Sequence, residues 1–202
     1  MSDPQSESGR SIGVVLSLPD GWVELPPVGS RGGMLRRDPY EQIARRLIAG
    51  GAVVPALLRS TRNYLERVAP REQAQIAGAA IVAASTADDA VLAAYAVFVR
   101  TREPGTPAGV EGLSQWVARP GPADSGPRVV RTVDLPVGPA VRGQWHQGLG
   151  DQAREVVQHW VDLEDRGIIL LLTGYADSDT QRDRLVADFD AIAAGLRLVN
   201  DG

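Results

Sequence analysis

The sequence contains no cysteine, and all 21 of its basic residues are arginine. The missing cysteine excludes disulfides, a thiolate nucleophile and a Cys-ligated zinc site. The missing lysine excludes a Walker-type phosphate loop, a Schiff base and a lysine general base. The glycine-rich stretch 29–33 is therefore interpreted as a loop, because the helix predicted after it carries its own aspartate cap and no lysine.

Aromatic residues and long apolar runs are also scarce. Aromatic residues make up 5% of the chain and hydrophobic residues 44%, so Ala, Val, Leu and Ile must fill the interior, as they often do where helices pack on a sheet. No apolar run approaches the roughly 20 residues of a membrane helix. The first ten residues lack the basic start and apolar core of a signal peptide. We therefore expect a cytoplasmic protein that does not insert into membranes.

The charge distribution argues against a nucleic-acid partner. The formal net charge is −4 and the pI is about 5.2, whereas nucleic-acid-binding domains usually carry a basic stripe. The arginine pairs at 36–37 and 45–46 are too short to form one. The predicted partner is another protein.

The first half of the chain shows a strand, two helices and a hairpin. We expect a disordered tail at 1–11 and a single domain at 12–202, opening with a strand at 12–18. Asp38 caps a helix, with Pro39 at the first helical position and Glu41 three residues after the cap. A second helix is predicted from about Val54 to Ala69, and Pro70 ends or kinks it.

The stretch 72–87 is ambiguous between helix and strand. Its alanines favour a helix, whereas Ile81 and Val82 between small residues favour a strand. A strand at 76–85 is preferred because the next segment, 91–100, is rich in β-forming residues and would pair with it as a hairpin. A short helix is predicted at 109–118.

The last third has the clearest pattern. Strands are predicted at 128–134, 140–147, 153–163 and 167–175, joined by short turns that suit an antiparallel meander. The apolar run 168–172 should be covered on both faces. A final helix at 179–196 carries one apolar stripe of Leu185, Phe189, Ile192 and Leu196. The predicted class is α+β: an αβα sandwich with a central, mostly antiparallel sheet and helices on both faces.

Three segments carry a resemblance to a known family. They are the opening strand with the turn at 18–22, the stretch 133–142, and the ending, in which the strand of Trp160, the run 168–173 and the helix segment 189–196 follow one another. In these the chain resembles uncharacterised actinobacterial members of the PsbP-like superfamily, which includes the photosystem subunit PsbP and the yeast Ran-binding protein Mog. The resemblance implies the αβα sandwich and a tendency to bind other proteins. It carries over no catalytic residue.

The candidate site residues are few. His146 and His159 lie on neighbouring predicted strands but several residues out of register, so both are interpreted as structural or surface residues. Asp177, Asp179 and Asp183 lack the Gly and terminal Glu of a calcium loop and are interpreted as acids at a helix N-terminus. No serine has a nucleophile-elbow context. No cofactor or metal is predicted.

The tryptophans are the remaining candidates. Trp22 and Trp145 are predicted to lie in the core. Trp116, beside the Pro/Gly-rich stretch 119–127, is the possible partner-binding residue, since exposed tryptophan is a frequent interface anchor. The first hypothesis is thus a non-enzymatic protein-binding adaptor or an assembly- or secretion-associated factor. The alternative is a small-molecule-binding protein or an enzyme with a pocket between the sheet and the helices.

Overall fold

The computed structural model describes residues 12–25, 74–83, 91–148, 154–176 and 182–200. The tail predicted at 1–11, the helices predicted from Asp38 and Val54, and the glycine-rich stretch 29–33 lie outside these ranges. Asp177 and Asp179 also lie outside them. The described elements, in chain order, are β1 (Ile12–Val15), β2 (Val23–Glu24), β3 (Ala74–Ala83), β4 (Val91–Thr101), α1 (Gly109–Val117), β5 (Val129–Leu135), β6 (Gly138–Gln147), β7 (Arg154–Leu163), a 3-10 turn (Glu164–Arg166), β8 (Ile168–Ala176), α2 (Arg182–Gly195) and β9 (Arg197–Asn200).

Seven of these strands form one sheet in the order β2-β3-β4-β8-β7-β6-β5. Each neighbouring pair is antiparallel. The predicted α+β class and the mostly antiparallel sheet are confirmed. The meander β5-β6-β7-β8 is also confirmed, and β8 lies between β4 and β7, so its apolar run is interior as predicted.

The described part of the ambiguous stretch, Ala74–Ala83, forms a strand, and this strand, β3, pairs antiparallel with β4 as predicted. Gly78 pairs with Val97 and Ile81 with Ala94, with two register shifts along the ladder. Ala79, Ala80 and Ile81 are all buried. The alanines therefore serve as small residues covered on both faces of a sheet, which outweighs their preference for helix.

One face of the sheet packs against α2. The stripe of Leu185, Phe189, Ile192 and Leu196 is almost fully buried and shares a core cluster with Leu170 and Leu172 of β8, among others. The stripe thus packs on the sheet near 168–172, as its spacing predicts.

The ring of Phe189 is seated on a glycine of β8. A Cβ atom added at Gly174 would lie 2.6 Å from Cγ of Phe189, closer than real Cβ contacts come. The missing side chain therefore provides the depression in which the ring sits. Tyr95 stacks on the same ring at 5.9 Å, and Trp22 meets it edge-on at 5.6 Å.

A second core cluster involves α1. Leu113 and Val117 of α1 are buried with Ile169 and Leu171, the residues of β8 that alternate with those under α2, and with Phe98 of β4. β6 separates its side chains in the same way: Val141 belongs to this second cluster. The predicted alternation along 140–147 is present in the structure.

The end of the chain differs from the prediction. After α2, residues Arg197–Asn200 form β9, which pairs antiparallel with β1 in a separate two-stranded sheet. β1 therefore does not join the main sheet. Val14, Leu16 and Leu198 pack against the cluster under α2, so the small sheet extends that core.

Candidate binding cleft

The helix α1 is fixed at both of its ends by side chains. At its start, the backbone N–H of Gly109 donates to Oδ2 of Asp162 at 3.1 Å, and Asp162 also binds the guanidinium of Arg102. At its end, Nη1 of Arg128 donates to the carbonyl oxygen of Val117 at 2.9 Å. A carboxylate at the N-terminus of a helix and a guanidinium at its C-terminus both interact favourably with the helix dipole. The position of Trp116, one residue before the helix ends, is thereby fixed.

Arg128 also organises the segment that follows α1. Its Nε donates to Oδ2 of Asp124 at 2.7 Å, and the backbone N–H of Gly121 donates to the same oxygen at 2.8 Å. The guanidinium lies over the ring of Trp145 at 4.1 Å, a cation–π distance. The Pro/Gly-rich stretch is therefore an ordered loop, held on the sheet by Arg128 and by backbone hydrogen bonds between its residues 123–125 and the end of β6.

A cleft of about 350 Å³ opens between α1, this loop and the sheet. We call it the tryptophan cleft. It is lined by Trp116, Arg119, Arg128, Trp145, Gln147, Val156, Gln158, Trp160 and Tyr175. Three of the four tryptophans in the chain thus meet at one place.

The rings are held in fixed orientations. Trp116 meets Trp160 edge-on at 4.7 Å. Nε1 of Trp160 donates to Oε1 of Gln158 at 3.2 Å, and Nε2 of Gln158 donates to Oγ1 of Thr173 at 3.2 Å. Nε1 of Trp145 is buried and has no acceptor. Trp116 is still 37% exposed, so the cleft presents a rigid aromatic surface.

A second cleft, of about 480 Å³, adjoins the first. We call it the turn cleft, because the turn 103–107 forms one wall. It shares Trp116, Arg119 and Trp160 with the tryptophan cleft, and its other lining residues include Arg100 and Glu103. Arg119 therefore borders both clefts, and its side chain is exposed.

On the other face of the sheet, beneath α2, three basic side chains point to one carboxylate. Arg142 donates from Nε to Oδ1 of Asp190 at 2.7 Å, and Nε2 of His159 lies 3.1 Å from the same oxygen. Arg131 reaches Oδ2 at 3.4 Å. In the sheet, Arg131 lies opposite Arg142 on the neighbouring strand, and Arg142 lies opposite His159. The strand register therefore places the three side chains in a row across β5, β6 and β7.

Burial and hydrogen bonding act in opposite directions on the pKa values of His159 and Asp190. Burial lowers the pKa of His159 from its ordinary value, outweighing the hydrogen bond to Asp190, which acts to raise it. Burial alone would raise the pKa of Asp190, but hydrogen bonds from His159 and Arg142 and their charges lower it overall. Burial, followed by the charge of Asp190, raises the pKa of Tyr95, whose hydroxyl has no hydrogen-bond partner.

His146 has a carboxylate of its own. Its Nε2 lies 2.9 Å from Oε2 of Glu155, which also lies 3.3 Å from Nε of Arg182. These are ion-pair distances without hydrogen-bond geometry. The two histidines are four residues out of register, since His146 pairs with Glu155 and His159 with Arg142. The structure thus keeps them apart, each with a separate acid.

The sequence located some of these residues and missed others. Trp22 and Trp145 are buried. Trp116 is partly exposed, as expected, and its role as a partner contact stays a prediction. Neither histidine lines either cleft. Arg119 and Trp160 were not singled out as site residues. For Trp160, only the strand register could have indicated its position, because it sets Trp160 beside Val141.

Within the described ranges, no three potential metal-ligating side chains come together. Asp183 lies in the first turn of α2, which agrees with its interpretation as an acid at a helix N-terminus. Neither of the helices formed by the described residues has the length and apolar character needed to cross a membrane.

Comparisons with known proteins find a distant structural likeness. No family model matches the sequence, and no curated protein matches it. Among solved structures, the chain is similar to LpqN of Mycobacterium tuberculosis, a protein described as involved in cell envelope biogenesis. The identity is 16%, the TM-score is 0.48, and the match covers 96% of this chain and 87% of that chain.

Proposed function

We propose that this chain is a non-enzymatic protein-binding adaptor, associated with assembly or secretion, that holds a segment of its partner at Trp116. The observation that carries the proposal is the meeting of three tryptophans in one cleft, with Trp116 left 37% exposed. Tryptophan, tyrosine and arginine are the residues that most often dominate binding energy at interfaces. Here they lie together on one surface.

The rigidity of this surface supports binding. Asp162 and Arg128 fix the ends of α1, and Trp160 supports the ring of Trp116. A side chain that is already ordered loses little conformational entropy when a partner arrives, so more of the contact energy appears as affinity. An exposed tryptophan held in this way is suited to act as an anchor.

The composition of the clefts supports a role without catalysis. Neither histidine lines them, and both amide atoms of Gln158 are engaged within the protein. A general base within hydrogen-bond reach of a bound substrate is the usual requirement for acid–base chemistry. No histidine, aspartate or glutamate is among the described residues that line the tryptophan cleft.

A second candidate, a small-molecule-binding protein, is favoured by one observation. The tryptophan cleft has a volume of about 350 Å³, which falls in the roughly 300–1,000 Å³ range of small-ligand pockets. Binding of a small molecule would be independent of the turn cleft next to it. A partner segment would use both clefts.

The finer fold assignment is also a proposal. We infer an αβα sandwich of the PsbP-like kind. The support is that alternate residues of β8 belong to the core clusters of α1 and of α2. An adaptor of this kind would act in the cytoplasm. Fractionation of cells of the source organism, followed by detection of the chain with an antibody, tests that location.

Affinity capture with matched variants tests the binding function. The tagged wild-type chain, Trp116→Ala, Arg119→Glu and Val129→Ala are each used to capture proteins from an extract of the source organism. Val129 is the control because it is a large exposed apolar residue, 63% exposed, and lies on β5 outside both clefts. Melting temperatures establish that each variant is folded.

The expected result is a partner retained by the wild type and by Val129→Ala and lost from both cleft variants. Truncating an interface anchor typically costs at least about 2 kcal/mol of binding free energy. A loss of this size is enough for the partner to be removed when the resin is washed. Retention of the same proteins by all four chains would contradict the proposal. Retention of none by the wild type, with a metabolite bound instead, would favour the small-molecule candidate.

A further inference from the structure

The charge around the two clefts differs from that of the chain as a whole. The chain has a net charge of −4, but the residues lining the clefts include Arg100, Arg119 and Arg128, with Glu103 as the one acid among the described lining residues. Asp124 already pairs with Arg128. Arg119 has no acidic partner in the described part of the chain. The clefts are therefore a local basic area on an acidic protein.

The hydrogen-bonding groups of the tryptophan cleft are mainly donors. The oxygen of Gln158 is occupied by Trp160, and its amide nitrogen donates to Thr173. Arg119 is exposed and adds the donors of its guanidinium, while the amide of Gln147 can donate or accept. A ligand that brings acceptors, above all carboxylates, complements such a site, because charge-assisted bonds to arginine are the stronger kind.

The shape of the site favours a segment over a single small group. The tryptophan cleft, of about 350 Å³, has room for one planar side chain beside its rings, since aromatic pairs are stable edge-to-face or offset. The turn cleft continues from it past Trp116, Arg119 and Trp160. A ligand that fills both must extend for several residues on either side of the inserted ring.

We propose, as a deepening of the adaptor function and resting on it, that the tryptophan cleft takes an aromatic side chain of a partner segment whose flanking residues are acidic. The inserted ring contacts Trp116, Trp145 and Trp160. A flanking carboxylate pairs with Arg119, and the rest of the segment follows the turn cleft. The chemistry that is recognised is thus an aromatic residue within an acidic peptide.

Single-stranded nucleic acid is the other polymer that aromatic rings and arginines recognise. Affinity for its backbone grows with the number of phosphates neutralised by Lys or Arg. The described lining residues include three arginines, Arg128 is paired with Asp124, and the chain has a net charge of −4. The observations therefore favour the peptide, and nucleic acid becomes an arm of the test.

The indole N–H signals of the ¹⁵N-labelled protein give a direct readout. There are four tryptophans, and three line the cleft. Trp22 is the internal control: its Nε1 donates to Oδ2 of Asp188 at 3.0 Å, and it lies in the core cluster of α2. The probe is the capped peptide Glu-Glu-Phe-Glu-Glu. The comparison ligands are Lys-Lys-Phe-Lys-Lys, Glu-Glu-Ala-Glu-Glu and oligothymidylate.

The acidic phenylalanine peptide should shift the signals of Trp116, Trp145 and Trp160 and leave Trp22 in place. The alanine and lysine peptides should bind at least about tenfold more weakly, since one lacks the ring and the other places like charges together. Arg119→Glu should weaken the acidic peptide by a similar factor. Added salt should weaken it further, because exposed charge pairs are screened.

Several outcomes would overturn the inference. They are equal binding of the lysine peptide, shifts caused by oligothymidylate but by no peptide, shifts that include Trp22 equally, and the absence of any shift. Self-association that Trp116→Ala abolishes, seen by sedimentation, would assign the clefts to a second copy. If the captured partner depends on Trp116 while the acidic peptide does not bind, the adaptor function stands and only the peptide chemistry is wrong.

Discussion

Oδ1 of Asp190 lies 3.1 Å from Nε2 of His159, and this pair joins α2 to the middle of the sheet. Asp190 follows Phe189 directly, so the helix places an apolar ring and a carboxylate side by side against the strands. The ring fills the depression at Gly174, and the carboxylate receives Arg142 and His159. The position of α2 along the sheet is thus specified by shape and by charge together.

The first prediction concerns pH. The pKa of His159 is lowered from 6.5 in the folded chain, so the unfolded chain binds a proton first as pH falls. The contribution of His159 to the free energy of unfolding is fully present above pH 6.5. It is lost as the pH falls towards the pKa of His159 in the folded chain. Asp190, lowered from 3.8, acts with the same sign at lower pH. The melting temperature should therefore fall as the pH is lowered below 6.5.

Matched histidine variants separate this effect from general acid sensitivity. His159→Gln should flatten the slope of melting temperature against pH. His146→Gln is the comparison variant, because the side chain of His146 lies beside Glu155 rather than Asp190. A slope that His159→Gln does not alter would show that another group is responsible.

The second prediction concerns Tyr95, whose ring is fully buried and whose hydroxyl has no partner. Burying a hydroxyl without a hydrogen bond costs roughly 1–3 kcal/mol. Tyr95→Phe keeps the stacking on Phe189 and removes the unsatisfied group. Thermal unfolding should show an unchanged or higher melting temperature. A clear loss of stability would mean that the hydroxyl is bonded in solution.

The third prediction concerns Phe189, which is 0% exposed. Phe189→Ala removes the ring from between Tyr95, Trp22 and Gly174 and leaves a cavity, at a cost of about 3–5 kcal/mol. This is a large part of a typical domain stability of roughly 5–15 kcal/mol. Chemical denaturation should show the loss. Arg184→Ala, exposed on the same helix, is the control and should change little.

The stripe of α2 is expected to be structural rather than an interface. If Phe189→Ala melted like the wild type and lost the captured partner, that assignment would be wrong. The reverse pattern is expected for Trp116→Ala, which should retain most stability and lose the partner. The two variants together distinguish the core face from the binding face.

The fourth prediction concerns both histidines. Replacing His146 and His159 together with Gln should leave peptide and partner binding unchanged, because neither lines the clefts. Metal analysis of the purified chain should detect no stoichiometric zinc. Loss of binding in a double variant that remains folded, or zinc bound at one ion per chain, would refute this interpretation.

Local pattern predicted most of the described fold. The alternation along 140–147, the apolar run 168–172 and the stripe from Leu185 to Leu196 each report burial directly, because side chains repeat with the period of the element. The strand β9 was missed because four residues carry too little periodicity. What makes Arg197–Asn200 a strand is β1, at the other end of the described chain.

The candidate site was less predictable for the same physical reason. Trp145 and Trp160 come from the adjacent strands β6 and β7, and Trp116 comes from α1, which lies between β4 and β5 in the chain. The three meet only because of the strand register and the packing of α1 on the sheet. Asp188 and Asp190 lie outside the apolar stripe of the last helix, from which an exposed position would be expected. They instead bond Trp22 and Arg142, because α2 lies close enough to the sheet for short carboxylates to reach its side chains.

The pairing of β1 with β9 has a consequence for how the chain is made. Val15 is translated early, and its ladder partner Arg197 only after α2 is complete. During synthesis, the hairpin of β3 and β4 can form while β1 still lacks its neighbour. The small sheet can close only late, and contacts between residues so distant in sequence slow folding. A chain stalled before Arg197 would expose Val14 and the edge of β1 to other polypeptides.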